Sequence, residues 1–298
     1  MIDLRENVSL AEFTTMKLGG AAKYFTECKS VEEIKAALAF AKSRGLRSHI
    51  LGGGSNTVFL DEGFDGLVLR IALRGIQFMR EKNDVKMVVA GGEEWDHFVK
   101  LCIHYKLAGL ECLSGIPGLV GATPIQNVGA YGQEVAETIL DVKTIERSTF
   151  REAHFTNSEC RFAYRKSRFN NDDKGRFIVT EVTFRLNLNG EPDIRYPELQ
   201  QFIDSNTTDR TVKHEGQSLE AVRNAVLDLR RTKSMVIDAA DPNSRSVGSF
   251  FKNPILTKEE FVSFEKNCRA EGIVGTIPTF TVGANVKVPA AWLIENAG

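Results

Sequence analysis

The chain has 298 residues, which suits two or three domains better than one small one. Hydrophobic residues make up 42% and charged residues 26%, an ordinary globular composition that argues against disorder. Lys plus Arg total 38 against 39 for Asp plus Glu, so the net charge of -1 gives no footprint for nucleic acid, although a local basic pocket for a phosphorylated small molecule stays possible.

The sequence shows no targeting, membrane or metal-binding pattern. No apolar run approaches the roughly 18–20 residues that span a bilayer, and residues 1–10 lack the regions of a signal peptide. The five cysteines are scattered without a C-x-x-C, and the five histidines show no metal-ligand spacing. We therefore expect a cytoplasmic protein that binds no metal, nucleic acid or membrane. A monomer is a separate expectation, which these patterns do not determine.

The first hundred residues alternate between strand and helix patterns. Ser30 to Glu33 form a capping box, and Gly45 is a plausible end for the helix that follows. Apolar runs predict three strands, and apolar residues from Trp95 to Tyr105 are in phase for a second helix. These predicted strands lie at 49–51, 67–71 and 85–90, and the second helix at 95–107. The alternation indicates α with β rather than an all-β chain.

The sequence LGGGSN (51–56) follows the first of these strands. Consecutive small residues let several backbone N–H groups converge, and such a nest binds phosphate. Tight glycine turns that bind nothing are at least as common, so the motif alone leaves both readings open. It is neither a P-loop nor a dinucleotide-binding G-x-G-x-x-G fingerprint.

Residues 113–132 hold five glycines and two prolines, yet they are apolar and almost uncharged. A solvated linker would be polar. A glycine-rich loop that is apolar indicates backbone packed closely against something flat and buried, such as an isoalloxazine or adenine ring. The alternative is a glycine-rich hairpin packed on the core.

The second half of the chain returns to regular patterns. Residues 138–146 and 177–186 predict strands, and in the latter the alternate residues from Ile178 to Leu186 share a face. Residues 218–233 predict an amphipathic helix. The loop at 238–246 predicts a domain boundary. Beyond it, Thr257 and Glu260 cap another helix, and Pro289 begins the last one.

Three further features are weak when taken singly. Arg165 follows Arg161 by four residues and could clamp a carboxylate with its planar fork, but most such arginines are solvated. Ser249 lies on a turn before two aromatic residues, which is not a G-x-S-x-G nucleophile elbow. Tyr196 and Lys233 are unremarkable one at a time.

Taken together and in this order, these stretches resemble the UDP-N-acetylenolpyruvoylglucosamine reductases almost from end to end. The glycine-rich 114–135 block and GSFFKNP (248–254) are the most specific. The segment between Arg165 and Lys233 that contains Tyr196 resembles the subclass with a tyrosine loop over the substrate. The matching stretches are LGGGSNTVF (51–59), SGIPGLVGATPIQNVGAYGQEV (114–135), CRFAYRKS (160–167), LRRTK (229–233), VGSFFKNP (247–254) and VPAAWLIENAG (288–298).

This resemblance implies an α+β chain with an FAD-binding fold of the vanillyl-alcohol-oxidase type and a separate substrate-binding α/β domain. We expect FAD-binding subdomains at 1–72 and 73–238 and the substrate domain at 239–298. The implied reaction is NADPH-dependent, FAD-mediated reduction of UDP-N-acetylglucosamine enolpyruvate to UDP-N-acetylmuramate. The FAD is expected to be noncovalent, because no histidine or cysteine lies at an evident flavin-linking motif.

The resemblance also implies roles for particular residues. Arg165 would bind the substrate carboxylate and Ser249 would donate the proton, and these two are the expected catalytic residues. The residues expected to bind substrate are Tyr164, Tyr196, Lys233 and Asn253. The residues expected to bind FAD are Gly52, Gly53, Gly54, Ser55, Asn56, Ser114, Ile116, Pro117, Gly121, Ala122, Gln126 and Asn127.

One departure and two alternatives accompany this reading. In the family a further segment follows WLIENAG and carries a glutamate that assists protonation. Glu295 lies too early in the pattern to be that group, so we expect the 298 residues by themselves to be a poor catalyst. The alternatives are another FAD-dependent oxidoreductase of the same superfamily, which would need no GSFFKNP, and a non-catalytic protein that binds FAD or a UDP-sugar.

Overall fold

The computed structural model describes residues 2–206 and 218–297. Its contacts divide the chain into two compact units, the first ending at Gly248 and the second beginning at Ser249. Helices and sheets occur in both units, and the predicted α+β class is confirmed. The finer division into 1–72, 73–238 and 239–298 stays a prediction.

A four-stranded sheet with one covering helix opens the first unit. The strands lie in the order β1-β2-β4-β3, with β2 and β3 parallel to β4. The helix begins as predicted, because the Ser30 hydroxyl accepts the N–H of Glu33 at 3.1 Å. Strands β1 and β2 had no clear signal in the sequence. The elements are β1 (Arg5–Ser9), β2 (Ala21–Cys28), α1 (Val31–Ser43), β3 (Arg47–Leu51) and β4 (Phe64–Ile71).

A larger antiparallel sheet follows, with the order β11-β10-β12-β6-β5. The short β7 pairs with the end of β12, and β8 and β9 form a separate hairpin. The elements are β5 (Ile76–Glu81), β6 (Asp84–Ala90), α2 (Trp95–His104), β7 (Leu107–Ala108), β8 (Gly129–Ala130), β9 (Gln133–Glu134), β10 (Ile139–Glu146), β11 (Glu152–Thr156), α3 (Asn157–Cys160) and β12 (Phe177–Leu188).

Two expectations for this sheet need correction. Helix α2 ends at His104 rather than at 107, because Lys106 takes a left-handed φ of +55° and Leu107 lies in β7, which pairs with β12. Strand β12 buries its even-numbered residues as predicted, but Val179 and Thr183 on the other face are buried too. The two-residue periodicity of β12 therefore identified only one of the two faces of this strand that are buried.

Helices α4 (Pro197–Asn206) and α5 (Leu219–Arg231) complete the regular part of the first unit. The predicted buried side of α5 is confirmed, since Leu219, Val222, Val226 and Leu229 are all buried. Val222, Val226 and Leu229 share an apolar cluster with Leu199 and Ile203 of α4, a helix that the sequence did not signal. Leu219 belongs to the core of the larger sheet. The described part of the predicted 218–233 helix is thus explained by its packing.

The second unit is a small three-stranded antiparallel sheet with two helices, in the strand order β13-β15-β14. Thr257 and Glu260 cap α6 reciprocally, and α7 begins after Pro289, both as predicted. Cys268, Ile277 and Val288 form its buried centre. The elements are β13 (Ile255–Leu256), α6 (Lys258–Ala270), β14 (Phe280–Val282), β15 (Asn285–Lys287) and α7 (Ala290–Glu295).

Among the described residues, no helix combines the length and the apolar character that a membrane crossing needs. Within the same residues, no three histidine, cysteine or acidic side chains are grouped so that they could hold a metal ion.

Candidate active site

The LGGGSN turn leaves the carboxyl end of β3, where parallel strands of α/β sheets place their ligands. Gly54 has φ +69°, and a Cβ there would lie 1.9 Å from the carbonyl oxygen of Phe13. Only glycine fits this position. The turn is therefore fixed by backbone contacts rather than by side chains.

This turn packs directly on the second glycine-rich loop. A Cβ on Gly53 would lie 2.9 Å from the Cα of Gly118, and the Ser55 hydroxyl donates to the Pro117 carbonyl at 3.0 Å. The two motifs that the sequence separates by some sixty positions thus form one surface. We call residues 52–56 and 114–122 the glycine cradle.

The cradle presents unpaired backbone donors. Among the described residues, the N–H groups of Gly53, Gly54 and Ser55 donate to no backbone or side-chain acceptor. Convergent free N–H groups form an anion-binding nest. A diphosphate suits such a nest, because its oxygens can accept several N–H bonds without a side chain in the way.

The far end of the cradle is tied to a partly buried ion pair. Asp96 of α2 accepts the N–H of Gly115 and binds Arg223 of α5 through both carboxylate oxygens, each at 2.7 Å. Burial opposes ionisation, but bonds from Arg223 and Gly115 outweigh it and hold the pKa of Asp96 below its usual value. The position of the Gly115 peptide is thereby set by α2 and α5 together.

A second arginine beside this loop has no such carboxylate partner. Arg230 is only 9% exposed, and its Nε has no hydrogen-bond partner among the described residues. A Cβ on Gly115 would lie 3.4 Å from that Nε, and burial lowers the pKa of Arg230. Its guanidinium also donates to the Met235 carbonyl, so the Nε–H is the buried donor that lacks an acceptor, and such a donor is costly. The residues therefore fit an anionic or carbonyl-rich cofactor such as FAD at the cradle.

The remaining predicted cofactor residues lie in and beside the cradle. Asn56 donates to the Gln126 side chain at 3.3 Å, which links the first turn to the far end of the second loop. The buried Asn127 donates to Glu134 and to the Ala163 carbonyl, so it is held by its neighbours. The hydroxyl of Ser114 donates to the Glu111 carbonyl. The other predicted members of the cradle are half-buried or exposed: Gly52, Ile116, Pro117, Gly121 and Ala122.

Arg165 occupies a tight turn whose ends, Ala163 and Lys166, exchange two backbone hydrogen bonds. It takes φ +53°, and its guanidinium donates to the carbonyl of Gly129 at 2.6 Å. Tyr164 lies beside the guanidinium, with its ring centroid 5.8 Å from the Arg165 Cζ. The turn therefore places the arginine fork beside the β8–β9 hairpin.

The same hairpin carries Tyr131, whose ring meets that of Tyr196 edge to face at 5.7 Å between centroids. Two residues on, Glu198 accepts the Lys233 ammonium at 2.7 Å. We call Tyr131, Arg165, Tyr196 and Lys233 the tyrosine patch. The structure thus brings Arg165 and Tyr196 to one hairpin and pairs Lys233 with Glu198, two residues after Tyr196.

Ser249 and Asn253 belong to the second unit. Ser249 is exposed, beside the exposed Phe250 and Phe251. The side-chain oxygen of Asn253 accepts the N–H of Ala290 at 2.9 Å and so caps α7. Its NH₂ group is the part of the side chain that could serve a ligand.

Sequence reasoning missed several residues of this region. Tyr131 and Arg230 lie inside quoted stretches, so their positions in the 114–135 block and in LRRTK were the available signal. Asp96 and Arg223 are 127 residues apart, and nothing in the sequence couples them. Glu198 lies on the unpredicted α4.

The chain has an α+β fold in which the glycine cradle, with its unpaired N–H groups, lies beside a buried arginine. These features define an FAD-binding flavoprotein domain. In agreement, residues 22–148 match the family model described as an FAD binding domain. The predicted FAD-binding fold is thereby confirmed.

Known proteins place the chain more narrowly. It is 43% identical to the UDP-N-acetylenolpyruvoylglucosamine reductase of Thermobifida fusca, over 98% of this chain and 81% of the relative. It is 42% identical to that of Salinispora arenicola, over 97% and 77%. The Thermus caldophilus enzyme of the same name shares the fold, with a TM-score of 0.59 and 22% identity over 100% of this chain and 94% of that one. The chain belongs to the UDP-N-acetylenolpyruvoylglucosamine reductase family.

Proposed function

We propose that this chain reduces UDP-N-acetylglucosamine enolpyruvate to UDP-N-acetylmuramate with NADPH, in the synthesis of peptidoglycan precursors. One observation carries the proposal. The loop that forms part of the glycine cradle continues into the β8–β9 hairpin, which contacts Arg165 and Tyr196 of the tyrosine patch. Family membership at 43% identity over 98% of the chain supports the same activity. We propose that the enzyme works as a cytoplasmic monomer.

The cradle would hold the cofactor noncovalently. Its free N–H groups suit the diphosphate of FAD, and Arg230 suits a carbonyl or anionic part of it. When bound, FAD would supply the hydride-transfer chemistry between NADPH and the terminal carbon of the enol ether. The buried thiols, of which Cys28, Cys112 and Cys160 have pKa values raised by burial to about 12, remain protonated and are unsuited to a covalent flavin link.

The chain's own residues then have to manage charge and a proton. Arg165 keeps N–H groups beyond the one that binds Gly129, and its fixed turn preorganises them toward a carboxylate. As the enol ether is reduced, negative charge spreads onto that carboxylate, so a preorganised cation there lowers the barrier.

Ser249 is proposed to donate the proton to the adjacent carbon, which completes the lactyl ether. A serine is a weak acid, so its alkoxide needs a stabilising donor. Lys233 and the NH₂ group of Asn253 are proposed to bind the substrate diphosphate or to provide that stabilisation. Tyr196, with Tyr164, is proposed to cover the nucleotide.

The test uses the purified chain supplied with FAD. We expect a yellow protein whose consumption of NADPH, followed by absorbance, depends on added UDP-N-acetylglucosamine enolpyruvate. Acid precipitation should release all the flavin into the supernatant. Bound flavin without substrate-dependent NADPH oxidation would instead indicate a binding protein.

A further inference from the structure

Glu111 is a buried carboxylate that neither the cradle nor the patch uses directly. It is 1% exposed, yet no lysine, arginine or histidine among residues 2–206 and 218–297 forms an ion pair with it. Its oxygens instead accept three hydrogen bonds. The donors are the Gly109 N–H at 2.8 Å, the Asp193 N–H at 3.1 Å and the Gln133 side-chain amide at 3.2 Å.

These donors come from three separate segments. Gly109 precedes the cradle, Gln133 lies in the β8–β9 hairpin, and Asp193 lies three residues before Tyr196. A buried charge that is satisfied only by donors from different segments fixes those segments relative to one another, because releasing any of them leaves the carboxylate uncompensated.

Gln133 extends the same network. It is 4% exposed, its NH₂ group donates to Glu111, and its oxygen accepts the N–H of Cys112 at 3.0 Å. Asp193 is held a second time, since its carbonyl accepts the thiol of Cys112 at 3.7 Å. The hairpin with Tyr131 and the segment with Tyr196 are thus tied to one point.

We infer that Glu111 and Gln133 are positioning residues that set the separation of Tyr196 from the Tyr131 hairpin and so determine the affinity for the sugar nucleotide. The inference rests on the proposed function for what binds at the patch. It assigns these two residues no contact with the reacting atoms and no part in holding FAD.

Glu111→Gln is the direct test, because it keeps the shape but turns one acceptor into a donor facing N–H groups. We expect the KM for UDP-N-acetylglucosamine enolpyruvate to rise about tenfold or more, as loss of a bond to a charged group implies. FAD content and the rate of flavin reduction by NADPH should change less than about twofold. Glu191→Gln, an exposed carboxylate of the same segment, is the matched control and should change neither.

The exchanged pair Glu111→Gln with Gln133→Glu restores the contact between an amide and a carboxylate at positions 111 and 133 but leaves the Asp193 N–H facing an NH₂ group. The KM should therefore stay within about threefold of the Glu111→Gln value, because the segment with Tyr196 is still released. A merely structural role predicts instead that KM, FAD content and melting temperature worsen together in Glu111→Gln. That result, an unchanged KM in Glu111→Gln, or a parent-like KM in the exchanged pair overturns the inference.

Hydrogen exchange separates this inference from the proposed function. The Asp193 amide should exchange faster in Glu111→Gln than in the parent or in Glu191→Gln, whether or not the chain reduces the substrate. If the parent lacks the activity, the proposed function fails, but the exchange rate still shows whether Glu111 holds the Asp193 segment. If Glu111→Gln does not fold, Gln133→Met breaks the tie to the hairpin while the Asp193 N–H stays bonded to Glu111, so the Cys112 amide must exchange faster and the KM must rise. An unchanged KM in that variant would overturn the inference.

Discussion

The glycine cradle and the tyrosine patch share the 113–132 loop, which holds residues 114–122 and Tyr131, but they are built in opposite ways. The cradle is backbone packed on backbone, with contacts such as Gly53 on Gly118 that leave no room for a Cβ. The patch consists of partly exposed side chains held by side-chain contacts, such as Lys233 on Glu198. A rigid backbone surface suits a resident cofactor, whereas separately held side chains suit a substrate that must enter and leave.

The largest effect should come from the cradle. In Gly54→Ala the new Cβ would overlap the Phe13 carbonyl at 1.9 Å, and we expect a loss of more than about 4 kcal/mol together with all bound FAD. Gly45→Ala is the control, since Gly45 has a similar φ of +62° but no atom within 4 Å of the new Cβ. That variant should cost about 1–2 kcal/mol and keep its flavin. Equal flavin loss in both would mean that backbone strain alone matters.

Ser249→Ala should have the next largest effect, and it should slow flavin reoxidation by the substrate without slowing flavin reduction by NADPH. Loss of a general acid slows the substrate half by roughly 100- to 10000-fold, whereas reduction of FAD by NADPH needs no acid aimed at the substrate carbon. Stopped-flow flavin absorbance should therefore show normal reduction and slow reoxidation. Failure of the NADPH half would give Ser249 a different role.

Within the patch, Arg165→Lys should lower turnover by roughly 100- to 1000-fold, about 2.7–4 kcal/mol. Lysine keeps the charge but loses the planar fork that reaches both a carboxylate and the Gly129 carbonyl. Bound FAD and the melting temperature should stay near the parent values. An unchanged turnover number would remove Arg165 from the site.

Tyr196→Phe should have the smallest effect. Burial, and then Glu198, raise the pKa of Tyr196, so the hydroxyl stays protonated at neutral pH and acts as a neutral group. Removing one neutral hydrogen bond corresponds to a rise in KM of about two- to tenfold. The KM should gain no new pH dependence between about pH 6 and 9, because the hydroxyl is neutral throughout that range. A large fall in turnover would show that the ring hydroxyl takes part in the chemistry.

The cradle was the more predictable of the two regions, for a physical reason. Its shape depends on local glycine chemistry at positions such as Gly53 and Gly54, which the sequence displays directly. Contacts between distant side chains leave no such trace. The sequence shows no local pattern for the Asp96–Arg223 pair or for the hydrogen bond between Glu111 and Asp193. Tyr131 was visible only as part of a glycine-rich block.

Helices show the same limit. The N-terminal ends of α1 and α6 were predicted because Ser30 and Thr257 cap them locally. The end of α2 was wrong because Leu107 pairs with β12, a strand that lies far along the chain. Helix α4 was missed because its apolar residues, Leu199 and Ile203, are buried only by contact with α5.

The most direct test of the account reduces the purified flavoprotein with NADPH in the absence of oxygen and then adds UDP-N-acetylglucosamine enolpyruvate. If the cradle holds FAD and the patch binds the enol ether, flavin absorbance returns as the substrate is added, and UDP-N-acetylglucosamine without the enolpyruvyl group has no effect. A flavin that stays reduced with both compounds would contradict the assignment of this chain as the reductase.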